Sequence, residues 1–101
     1  MKKFQRKAVK FAKENNLDAP VEYRALDFVS EAGEIVKDIT KSANYGNSPG
    51  QVEVKEDEIG DLLFSLFLLA EELDIDSEQA FNEAMKKYEE RVDEKGDPGS
   101  K

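Results

Sequence analysis

Six pairs of acidic side chains in this sequence stand three residues apart: Glu31/Glu34, Glu53/Glu56, Glu58/Asp61, Glu71/Asp74, Glu90/Asp93 and Glu94/Asp97. On a helix that spacing puts both carboxylates on one face, one turn apart. Two such pairs on facing helices can surround a hard cation such as magnesium with oxygen ligands. Spacing alone selects none of the six. A chain with 23 acids among 101 residues yields roughly 5 such pairs by chance.

Context separates two of them. Glu31-Ala32-Gly33-Glu34 and Glu58-Ile59-Gly60-Asp61 each fall within a helical pattern and carry a glycine just before the second acid. A glycine inside a helix costs about 1 kcal/mol relative to alanine, so it usually has a packing or functional reason. Here it would let two backbones approach and leave room for ions between them. Asp61 precedes the apolar run Leu62-Leu63-Phe64, where an unpaired charge would lose much of its hydration. Asp27, Glu31, Glu34 and Asp38 share one stripe, at offsets of four, three and four, and repel one another unless a cation joins them. Glu31, Glu34, Glu58 and Asp61 are therefore the candidate metal ligands, with a solvated acidic face as the alternative reading.

Composition narrows the chemistry. The chain has neither cysteine nor histidine. That excludes disulfides, thiolate metal sites and the commonest general base. Catalysis is left to carboxylates, lysine, arginine, tyrosine or a cation-activated water. The net charge of −8 disfavours nucleic acid backbones and anionic membranes as partners. No apolar run follows the N-terminal lysines, and the longest, Leu62 to Ala70, is too short to span a bilayer. The expected location is cytoplasmic.

The elements that position these residues read as helices. Phe4, Ala8, Phe11 and Ala12 recur at helical spacing over 2–15, with the two phenylalanines expected in a core or interface. A second helix is expected over 21–42, with Leu26, Val29, Ala32, Val36 and Ile39 as its apolar stripe. The loop 44–50 ends it. A third is expected over 53–73, apolar nearly all round and so covered on several sides. A fourth, over 77–94, starts at an Asp76/Gln79 capping pair and carries Ala80, Phe81, Ala84, Met85, Tyr88 and Val92. No window reads as a strand. The expected fold is all-α: a single helical domain over residues 1–95, completed by oligomerisation, with a flexible C-terminal tail over 96–101.

The acid pattern has a familiar form. Glu31-x-x-Glu34, 23 intervening residues, then Glu58-x-x-Asp61 resembles the signature of the MazG-type nucleotide pyrophosphohydrolases. Glu58-Ile-Gly-Asp-Leu-Leu-Phe, Leu69-Ala70, Leu73-Asp-Ile-Asp and Glu78–Ala80 are similar to the family's third helix and following turn. Lys87-Tyr88-Glu89-Glu90-Arg91 resembles its Lys-Phe-x-x-Arg segment, and the likeness spans roughly residues 20–95. The resemblance implies a four-helix MazG-like bundle that forms homodimers or homotetramers. It implies hydrolysis of nucleoside triphosphates to the monophosphate and pyrophosphate with magnesium, or manganese in its place, in nucleotide-pool housekeeping.

Residue by residue, Glu31, Glu34, Glu58 and Asp61 match the metal ligands and the catalytic acids, with Glu34 or Glu31 as general base. Lys87 and Arg91 match phosphate-contacting residues. Lys41, Asn44 and Tyr45, at the end of the second helix, could contact a nucleotide, or simply close that helix with a polar loop. Met85 departs from the asparagine often found two positions before the lysine, which puts base preference in question. Two other readings stay open: a phosphoribosyl-ATP pyrophosphohydrolase-like enzyme, and a non-catalytic helical oligomerisation module.

Overall fold

The computed structural model describes residues 2–99, and the remainder of the expected tail, residues 100–101, lies outside them. Four α-helices follow in order: α1 (Lys2–Glu14), α2 (Val21–Ser42), α3 (Glu56–Glu72) and α4 (Ser77–Lys95), with a 3-10 turn at Asn44–Gly46. No strand occurs among the described residues, and no helix among them is long and apolar enough to cross a membrane.

Local chemistry sets the boundaries. Pro20 precedes α2, where its fixed φ and missing N–H cost nothing. The α4 start is capped as its sequence requires: Asp76 Oδ1 accepts from the N–H groups of Glu78 (2.9 Å) and Gln79 (3.2 Å). Gly96, at φ 83°, ends α4 in the left-handed conformation, its N–H bonded to the Val92 carbonyl. The third helix begins later than its pattern suggests. Residues 51–55 form no regular element; Ser42 Oγ accepts the Glu53 N–H at 2.9 Å, pinning that segment to the end of α2. Glu58 consequently stands in the first turn of α3 rather than deep within it.

α3 is the central element, packed between α1 and α2. The core is small: Ala8 and Ala12 of α1 meet Phe67 and Leu68 of α3, with Val9 and Phe64 alongside. Small side chains on α1 permit this close contact. The expected apolar face of α1 is displaced accordingly: Gln5, Ala8 and Ala12 are buried, whereas Phe4 and Phe11 are more than half exposed. Phe11 still meets Phe64 edge to face, with ring centroids 6.0 Å apart.

α2 also departs from simple amphipathic packing. It turns its acidic stripe toward α3 and leaves Leu26, Val29 and Val36 exposed. α4 meets α1 near its start and presents Phe81, Met85, Tyr88 and Val92 to solvent. The protomer is accordingly expanded, with a radius of gyration of 16.7 Å, against about 13 Å for a compact domain of this length.

One polar residue ties the first helix to the last turn of the fold. Gln5 is 6% exposed. Its amide nitrogen donates to the Ile75 carbonyl at 2.9 Å and to Glu71 at 3.2 Å, and its oxygen accepts the Ser77 N–H at 2.8 Å. Gln5→Ala would leave the Ser77 N–H and the Ile75 carbonyl unpaired, at about 1–3 kcal/mol for each buried group. Urea unfolding should report a loss of that order, with Gln5→Glu no better because it cannot donate.

Candidate metal and nucleotide site

Where α2 and α3 pack, carboxylates line the seam from both sides. α2 contributes Asp27, Glu31, Glu34 and Asp38; α3 contributes Glu58 and Asp61. The four sequence candidates, Glu31, Glu34, Glu58 and Asp61, thus lie along one seam, with Glu31 and Asp61 at one pocket and Glu58 at another. Asp38 joins them as a direct neighbour of Glu58. Its signal was its place on the acidic stripe of α2.

The electrostatic pressure falls elsewhere than the sequence suggests. Asp61 is exposed, so the apolar run that follows it does not bury its carboxylate. Glu31 and Glu58 are partly buried instead. Desolvation, then the charges of Asp61, Glu34 and Asp27, hold the Glu31 carboxyl above the usual glutamate range. A hydrogen bond with Asp38 comes first for Glu58, then desolvation and the charges of Asp38, Asp57 and Glu34, all pushing it up. A bond between two carboxyl groups requires a proton on one of them. When both are ionised, Glu58 Oε2 is shielded from water and has no donor among the described residues. Either a proton or a cation must complete that pair.

The side chains do not yet form a coordination shell. Among the described residues, no three acids converge closely enough to hold a metal ion as they stand. Uncompensated like charges on one seam favour separation. The donor set itself is entirely carboxylate oxygen, which suits magnesium. The glycines do not act as expected within the protomer: a Cβ at Gly33 or Gly60 would meet nothing within 4 Å. No close backbone approach explains them here.

The raised carboxyls give a pH signature. A carboxyl that is more basic in the folded state adds stability below its unfolded pKa and loses it as pH rises through its folded value. In EDTA, Glu58→Gln should therefore raise the melting temperature at neutral pH and change it little near about pH 4, where the native glutamate is also largely neutral. Asp76 has the opposite sign. The N–H of Gln79 leads in lowering it, with Glu78 and Lys2 assisting against some desolvation. Its contribution is lost as pH falls.

Two pockets open along the seam. One, of about 760 Å³, is lined by Asp38 and Glu58 together with Lys41, Ser42, Lys55 and residues 52–54. Lys41 thereby shares a pocket with two of the acids, and Lys55 joins it, a residue with no distinguishing sequence pattern. Another, of about 250 Å³, is lined by Arg24, Asp27, Glu31, Asp61, Phe64, Ser65 and Leu68. Arg24 was missed by the sequence reading; its available signal was its place three residues before Asp27, on the same stripe of α2.

The other sequence candidates lie apart. Asn44 and Tyr45 sit in the 3-10 turn at φ 49° and 53°, with Tyr45 75% exposed. Lys87 and Arg91 are on α4 and line neither pocket of the seam. The Lys87 ammonium lies 5.0 Å from the centre of the Tyr88 ring, and Arg91 Nη1 donates to the Pro98 carbonyl at 3.3 Å. Within one protomer these two cations are not brought to the acids.

The profile of the MazG nucleotide pyrophosphohydrolase domain matches residues 23–95, a span that contains all six seam carboxylates and Lys87 and Arg91. No curated protein and no solved structure matches the chain. With a match over most of its length, the chain belongs to the MazG nucleotide pyrophosphohydrolase domain family.

Proposed function

We propose that the chain is a magnesium-dependent nucleoside triphosphate pyrophosphohydrolase that works as a homo-oligomer in clearing nucleotides from the pool. Water and a nucleoside triphosphate would give the monophosphate and pyrophosphate. The observation that carries this reading is the carboxylate seam, above all Glu58 Oε2, shielded from water beside Asp38 with no donor among the described residues. A fully solvated acidic face would not shelter such an oxygen, and a cation would satisfy it once the proton shared with Asp38 is lost.

Glu31, Glu34, Glu58 and Asp61 would hold magnesium, or manganese, with Asp38 orienting Glu58. The cation, when bound, supplies charge neutralisation at the phosphates and makes a water easier to deprotonate. Glu34 or Glu31 would accept the proton of that water. Lys41 and Lys55, beside Asp38 and Glu58, offer counter-charge for the phosphate tail. Lys87 and Arg91 would reach the same substrate only from a second copy of the chain.

The test is pyrophosphate release from a panel of triphosphates, with magnesium and with EDTA, beside thermal melting with a methylene-bridged, uncleavable triphosphate. Cleavage only with the cation and a raised midpoint are expected. Full activity in EDTA, or no midpoint shift with any nucleotide, would refute the scheme.

A further inference from the structure

We propose that Arg24 sets substrate specificity: its Nε–H donates to an acceptor on the nucleoside moiety of the substrate, inside the smaller pocket of the seam. This rests on the nucleotide reading above and assigns that pocket a role.

Arg24 is 8% exposed. Its Nη2 donates to the Leu17 carbonyl, which ties the start of α2 to the loop after α1. Its Nε is shielded from water and has no partner among the described residues. Carboxylates line the same pocket, yet neither ion pair among the described residues involves Arg24. A buried, charged donor without an acceptor is costly. The Nε–H therefore calls for an acceptor that the described residues do not supply.

The surroundings decide which acceptor. Phe64 and Leu68 give the pocket apolar walls, and Asp27 contributes a carboxylate that, when ionised, only accepts hydrogen bonds. A phosphate would satisfy Arg24 but carries no N–H for Asp27. A nucleobase edge offers a carbonyl or ring nitrogen beside an N–H, so it satisfies Arg24 and Asp27 together and lies against the Phe64 ring. The volume, about 250 Å³, is below the roughly 300–1,000 Å³ of a pocket for a whole ligand and suits one moiety. Direction agrees. Arg24 lies seven residues before Glu31 on α2, about 10 Å along the axis, while Lys41 and Lys55 stand beside Asp38 and Glu58, farther along the seam in the opposite direction.

Arginine Nε–H resonances of the ¹⁵N-labelled wild-type protein provide a direct test. The chain has three arginines, Arg6, Arg24 and Arg91, so Arg6→Lys and Arg91→Lys identify the third signal even if Arg24→Lys fails to fold. With magnesium present, a methylene-bridged nucleoside triphosphate should shift the Arg24 signal, and inorganic tripolyphosphate should not. Arg24→Lys keeps the charge and a donor for Leu17 but loses Nε. It should compress the differences in kcat/KM between bases at least tenfold while the midpoint shift with magnesium alone persists. An Arg24 signal unmoved by a nucleotide that raises the melting midpoint would overturn this assignment and leave the pyrophosphohydrolase reading intact. An equal shift with tripolyphosphate would make Arg24 a phosphate contact and overturn it too, as would a folded Arg24→Lys that retains the wild-type base ranking. If no nucleotide raises the midpoint, both fall.

Discussion

Glu58→Gln is expected to lower pyrophosphate release on the order of 100-fold or more, while the protein stays folded. The substitution preserves shape and removes one negative charge and one anionic oxygen. That oxygen, Oε2, is shielded from water and has no donor among the described residues. In the metal-free protein at neutral pH the glutamine should be the more stable residue, because it ends the conflict with Asp38. With magnesium the order should reverse, because the native carboxylate gains a cation that the amide binds poorly. Opposite effects on metal-free stability and on activity distinguish a ligand from a structural residue. Glu56→Gln, one position from the Asp57 charge but outside both seam pockets, is the control and should change neither. Melting curves in EDTA and in magnesium, with initial rates on the same preparations, read both effects. Equal loss in the two variants would mean that net charge, not the seam, governs activity.

Much of this was legible in the sequence because helix signals are local. Asp76 caps α4, Gly96 ends it and Pro20 opens α2, each through chemistry within a few residues. The acid stripe of α2 was equally plain, since Asp27, Glu31, Glu34 and Asp38 need only a period of 3.6 to align. What could not be read was which stripe faces inward. Apolar residues normally win that contest, yet α2 points its carboxylates at α3 and exposes Leu26, Val29 and Val36. The burial of Glu31 and Glu58 rather than Asp61 follows from that orientation. Gln5 was invisible for a related reason: its three partners lie 66 to 72 residues away, and nothing in a helical period marks a glutamine as buried. Ser42 shortened α3 by claiming the Glu53 N–H, again a contact between separate segments.

A double substitution on the exposed stripe of α2, Val29→Glu with Val36→Glu, is expected to convert a homo-oligomer into a poorly folded monomer. The protomer exposes 7781 Å², whereas a compact chain of this mass exposes about 5,800 Å². The difference, about 2,000 Å² per protomer and so about 4,000 Å² for a pair, falls within what obligate interfaces bury across both partners. Two apolar stripes account for much of it: Leu26, Val29 and Val36 on α2, and Phe81, Met85, Tyr88 and Val92 on α4. A small internal core cannot offset the chain entropy of 101 residues unaided, so association and folding should be coupled. Carboxylates placed in such an interface each cost several kcal/mol, enough to separate the subunits at micromolar concentration. Sedimentation should show the wild type as a dimer or larger, and circular dichroism should show helix content that falls on dilution. The same dilution should abolish activity if Lys87 and Arg91 serve a neighbour's seam, since neither lines the seam of its own protomer. A wild-type chain that sediments as a fully helical, active 11.4 kDa monomer would refute both the coupling and the shared site.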